Sequence, residues 1–191
     1  MEILTGIFAA FGLSASAGLN AYIPLLVIAL LAKFTNLFHL QPPWDTLTSW
    51  WIIGLLLVLA LVEFFADKFP AVNHINDVIQ TIVRPVAGAI VFAASARVIT
   101  DIHPVISLAA GLLVAGGVHA VKSLAIRPAV TATTGGTANV PVSILEDVIA
   151  TTISILSAVL PTLIAALVLF IAAGAIYLIW RRYRRERMAK A

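Results

Sequence analysis

Four carboxylates lie within or at the ends of long apolar runs. Glu63 and Asp67 are four residues apart, hence on one helix face, at the end of the run 50–66, while Glu146 and Asp147 stand early in the run 141–180. A charge at membrane depth is costly and usually faces the interior of a bundle, a pore or a partner. Together the four can bind a cation or relay protons. Asp67 is the first functional candidate and Asp147 stays open. Ser143-Ile144-Leu145-Glu146 fits a capping box, which would commit Glu146 to a helix N-terminus. Glu63 and Asp67 have a purely structural alternative, an ion pair with Lys68, Lys122 or an arginine.

The cationic and imidazole groups carry similar pairs of readings. His119 stands one turn before Lys122, either as a proton relay or as a hydrogen-bonded packing residue. Arg84-Pro85 and Arg127-Pro128 repeat a dipeptide after two polar connections. With Lys68 and Lys122 these arginines can form a phosphate-attracting patch, or they can simply signal topology. Arg97 and Asp101, four apart, fit a local ion pair. His74 and His103 are read as interfacial.

Two strings align without a gap, residues 14–24 (SASAGLNAYIP) and 131–141 (TATTGGTANVP). Ala15/Ala132, Gly18/Gly135, Ala21/Ala138 and Pro24/Pro141 are identical. Paired helix breaks in two halves of a membrane protein point to a transport site. Ser16, Gly18 and Asn20 in the first string, with Thr133, Gly135 and Asn139 in the second, would then be half-sites. Helix N-termini there favour an anion, and freed carbonyls favour a cation. The competing reading is close packing of small residues between helices.

The elements that must position these groups follow from hydropathy. The chain is 61% hydrophobic and 11% charged, with a mean hydropathy of +1.05, far outside soluble norms. The sequence predicts an all-α integral membrane protein with six transmembrane helices. Spans are expected at 20–34, 50–66, 85–100 and 104–122, and two more within 141–180, turning at Pro161. Residues 2–17 are too short for a full span and are read as a re-entrant or partial helix. In 73–83, Ile75, Val78, Ile79, Ile82 and Val83 form an apolar stripe opposite Asn76, Asp77, Gln80 and Thr81, which predicts an interfacial amphipathic helix. One transmembrane domain, 1–180, carries two halves, 1–83 and 84–180, as a parallel duplication, followed by a basic tail, 181–191.

Six of the twelve Lys and Arg residues lie in that tail. Its placement makes the net charge of +3 a topology anchor rather than a nucleic-acid surface. With the tail in the cytoplasm, Lys68, Arg84, Lys122 and Arg127 fall on the cytoplasmic side as well. Glu2 replaces a basic n-region, against a cleaved signal peptide. The chain has no cysteine, so disulfides and thiolate metal sites are excluded. Walker, His-Glu-x-x-His and Gly-x-Ser-x-Gly motifs are missing as well, which disfavours an enzyme, and no cofactor is expected.

The strings Gly18-Leu19-Asn20-Ala21-Tyr22-Ile23-Pro24 and Glu63-Phe64-Phe65-Ala66-Asp67-Lys68-Phe69-Pro70, with His74-Ile75-Asn76-Asp77 and Ile82-Val83-Arg84-Pro85, carry a resemblance. From about residue 5 to 180 the chain resembles an uncharacterised bacterial membrane family known only as a domain of unknown function. The resemblance implies a single-domain protein of the bacterial inner membrane and lends no substrate or site. The residues themselves favour a small transporter or channel for an ion or small polar solute, with a slight lean to a cation or proton. The alternatives are a lipid-phosphate translocase or lipid-binding protein, and a membrane scaffold. Expected partners are membrane lipids and the solute, and the small size allows a homodimer.

Overall fold

The computed structural model describes residues 2–68, 70–96 and 103–161, together with residues 166, 170, 173, 174, 177, 180 and 181; side chains are described from residue 6 onward, without those of 70–75 and 77. Among the described residues seven helices follow one another: α1 (Glu2–Leu19), α2 (Tyr22–Phe34), α3 (Trp50–Ala66), α4 (Pro70–Ala96), α5 (Pro104–Val121), α6 (Arg127–Thr134) and α7 (Asn139–Val159). A 3₁₀ turn, Trp44–Thr48, precedes α3, and a π-helical turn, Lys122–Ile126, joins α5 to α6 without a break.

Local chemistry sets the ends. The Asn20 side-chain Oδ1 accepts from the Tyr22 and Ile23 N–H groups, both at 3.1 Å, and so starts α2. Ser49 caps α3 by accepting from the Ile52 N–H. Pro104 occupies the first turn of α5, and His103 Nδ1 accepts from the Val105 N–H at 3.3 Å. His103 is thus a helix cap. α7 leaves helical geometry at Leu160, immediately before the expected turn at Pro161. Most of the span expected after that turn, and the Arg97–Asp101 pair, lie outside the described residues.

Among the described residues, three helical stretches are long and apolar enough to cross a membrane: Val78–Ala96, Pro104–Thr134 and Asn139–Val159. Gly6–Leu19, Tyr22–Phe34 and Trp50–Ala66 are apolar but shorter. This is the pattern of a membrane protein, although the expected spans are not matched one for one. Residues 73–83 are not a separate interfacial helix. They form the first half of α4, which runs on through Pro85. Nor does the fourth span end at 122, because the helix continues through the π turn to Thr134. α1 is one unbroken helix of 18 residues.

The two faces of α4 are inverted relative to a water-soluble helix. Asn76, Gln80 and Arg84, spaced by four, point inward, and Arg84 is 0% exposed; Val78 and Ile82 are each 70% exposed. Of the apolar stripe that suggested an interfacial helix, Val78, Ile79 and Ile82 face away from the protein, while Val83 packs on the core; of its polar side, Asn76 and Gln80 face the core. Elsewhere small residues allow tight crossings. Gly88 on α4 and Gly111 on α5 leave no room for a Cβ, and the Ser14 hydroxyl of α1 lies 2.8 Å from the Gly111 carbonyl and 3.2 Å from that of Gly88. On the other side of α1, the Ser16 hydroxyl lies 2.7 Å from both the Ala150 carbonyl and Ser154 Oγ on α7.

Candidate functional site: a buried charge network at a helix break

Helix packing gathers the scattered charges at one end of the bundle. Glu63 and Asp67 come from the end of α3, Arg84 from mid-α4, Lys122 from the π turn, Arg127 from the start of α6 and Glu146 from α7. All six are buried. Arg84 donates to Glu63 Oε1 from Nη2 at 2.8 Å and from Nε at 3.2 Å. Arg127 Nη2 meets Glu146 Oε2 at 2.7 Å, and Lys122 Nζ reaches the same oxygen at 2.9 Å. Asp67 stands between these pairs. Its Oδ2 lies 3.4 Å from Arg127 Nη2, 3.7 Å from Arg84 Nη2 and 4.0 Å from Lys122 Nζ. The Ser143 hydroxyl donates to Oδ2 at 3.4 Å, and the Asn76 amide to Oδ1 at 2.7 Å. Among the described side chains, three carboxylates face three cations, as the cost of burying an unpaired charge requires.

The network also holds the first helix break. Lys122 Nζ donates to the Leu19 carbonyl at the C-terminus of α1 (3.0 Å), and the Ala21 N–H at the start of α2 donates to Glu63 Oε2 (3.2 Å). A cation at a helix C-terminus and a carboxylate at an N-terminus are the signs that the helix dipoles favour. The Asn20 amide continues the contacts to Asp147 Oδ1 at 3.0 Å, and Asp147 pairs with Lys68 at 3.3 Å. Of the residues proposed from sequence, Asn20 thus joins Asp147 directly, while Glu63 and Asp67 share Arg84, and Glu63 reaches the same helix break through the Ala21 N–H.

The π turn explains how Lys122 and Arg127 share one carboxylate. Five residues apart on an α-helix, they would point about 140° away from each other. The Arg127 N–H instead bonds the Lys122 carbonyl, a bond spanning five residues that brings both onto one side. Pro128, which has no N–H to offer and crowds the carbonyl four residues back, accounts for the widened turn. His119 lies one turn earlier, with Nδ1 3.2 Å from Arg84 Nη1 and Nε2 3.3 Å from Thr81 Oγ1. A guanidinium only donates, so Nδ1 accepts, and the ring proton sits on Nε2 toward Thr81.

Other sequence candidates fall elsewhere. The second string does break a helix, with Gly135 in the left-handed region (φ 61°), but this break is exposed. Thr133 bonds carbonyls of its own turn, Asn139 pairs with Thr131, and Gly135 has open space around it. Gly18 behaves differently: it is helical and buried, and a Cβ there would strike the Ala115 carbonyl and Val118. Gly18 and Ser16 are packing residues. Glu146 does not cap a helix, because α7 begins at Asn139 and Ser143 lies within it; Glu146 pairs with two cations instead. Lys68, Arg84, Lys122 and Arg127 are each matched to a carboxylate, so they are not an outward phosphate patch.

Asn76 and Ser143 escaped the sequence reading as site residues. The signal for Asn76 was present in the polar stripe Asn76, Gln80, Arg84, but its inward direction was not. Among the described residues, no cluster of three or more His, Asp or Glu side chains is arranged to hold a metal ion.

Residues 7–181 match the model of a family described as a domain of unknown function, DUF4126. The chain belongs to this family. The sequence resemblance named the same kind of family, and the match covers nearly the extent expected. No curated protein and no solved structure matches the chain.

Proposed function

We propose that this DUF4126 chain is a multi-pass membrane transporter for a small ion or polar solute, working at the charge network beside Asn20. One observation carries the reading: the two groups that hold the broken ends of α1 and α2, Lys122 and Glu63, are also members of the network around Asp67. A change in charge or occupancy at Asp67 therefore bears directly on a helix hinge, as alternating access requires. Stability alone is a weak reason for such a cluster, since replacing buried ion pairs by apolar groups is often neutral or stabilising. In this reading the protein lies in a bacterial inner membrane with its basic C-terminus in the cytoplasm, which puts the network toward the cytoplasmic face.

The test is solute flux into vesicles reconstituted with the purified protein, followed for protons, sodium and phosphate. Asp67→Asn is expected to lower flux at least tenfold while helicity by circular dichroism is unchanged. Wild-type flux from a folded Asp67→Asn protein refutes the assignment.

A further inference from the structure

Asp67 is ringed by cationic side chains. Arg84, Lys122 and Arg127, from three separate elements, converge on its Oδ2 at 3.4–4.0 Å. None of these contacts is tight. Glu63 and Glu146, by contrast, hold their cations at 2.7–2.9 Å. The Asp67 backbone lies just past the last turn of α3, so a change in that turn can carry the side chain with it. Among the described residues Asn76 is its closest partner, at 2.7 Å.

We infer that Asp67 is a tethered stand-in for the substrate, and that the transported solute is an oxyanion that displaces it and binds Arg84, Lys122 and Arg127. This rests on the transport reading and names its substrate class. Guanidinium groups present donor forks that match phosphate and carboxylate oxygens. Charge conservation selects a monoanion, because it replaces one departing carboxylate without a proton or co-ion. A cation entering the same place would face three positive groups. This proposal departs from the lean toward a cation that the carboxylates suggested in the sequence.

Binding of sodium phosphate to the purified full chain in phosphatidylcholine nanodiscs, followed by ³¹P line broadening, tests this. Asp67→Asn is expected to bind phosphate at least tenfold more tightly than wild type, and adding Arg127→Gln is expected to abolish the gain. If Asp67→Asn does not fold, Asn76→Ala removes the tether instead and is expected to tighten binding several-fold. A parallel series in nanodiscs containing phosphatidic acid distinguishes the source: lipid retention that follows the same variants, with no binding of free phosphate, assigns the oxyanion to a lipid headgroup. Affinities equal to wild type for both probes in whichever variant folds overturn the inference. Sodium or proton flux through wild-type vesicles would, in that event, leave the transport reading standing, so the two failures are separable.

Discussion

At the scale of single residues, the Glu63–Arg84 pair is the most enclosed element of the network, with both side chains 1% exposed. Breaking a buried pair by removing one member typically costs 3–5 kcal/mol, because the other charge stays behind unpaired. Glu63→Leu and Arg84→Met are each expected to destabilise by about that amount, measured by equilibrium unfolding in detergent. The double variant is expected to recover more than half of the summed loss. Strict additivity would mean that the two groups do not act as a pair. Glu63 also accepts from the Ala21 N–H, so its single variant is the more damaging to the α1–α2 break.

At the scale of elements, the π turn does something that a regular helix cannot. It places Lys122 and Arg127 on one side, and Pro128 keeps the turn open. Pro128→Ala raises local helix propensity by roughly 3 kcal/mol, so a naive expectation is a more stable protein. We expect instead a lower melting temperature and reduced flux, because closing the turn to regular α-helix swings Arg127 away from Glu146 and Asp67. A variant more stable than wild type with unaltered flux would show the π turn to be incidental. The same scale separates the two glycine-containing strings. Both interrupt or border a helix end, but Gly18 is needed for close approach to α5, whereas Gly135 is needed for a left-handed backbone at an exposed turn. Similar strings do different physical work in the two places.

At the scale of the whole molecule, polarity is turned inside out. Arg84, Gln80, Glu63 and Asn20 are buried, while Trp51, Leu113 and Val78 are largely exposed. An exterior of this kind is stable against lipid and poorly stable against water. Leu113, 71% exposed in the middle of α5, tests this directly. Leu113→Lys is expected to cost about 2.5–3.5 kcal/mol of membrane insertion free energy, read by a glycosylation-mapped insertion assay. A water-facing site would tolerate the same change within about 0.5 kcal/mol.

Much of this organisation is legible in the sequence. The helical class, the apolar runs at 20–34 and 50–66, the break at Asn20 and the candidacy of Asp67 follow from hydropathy, from small polar residues in an apolar chain, and from the cost of a buried charge. Each of these is a local or near-local property, determined by residues a few positions apart. What only the tertiary structure decided is direction and partnership. The stripe in 73–83 shows that one face is polar, but whether that face meets headgroups or the protein core depends on which helices surround it. A capping box fits Glu146 by spacing alone, and the cations that claim it come from residues 122 and 127, on another helix. The two strings look alike over eleven residues, and only packing makes one a buried hinge wired to Glu63 and Lys122 and the other an exposed turn. The pairing of charges in the cluster is a property of the assembled bundle: six side chains, distributed from residue 63 to residue 146, acquire a common electrostatic environment only when the helices bring them within a few ångströms.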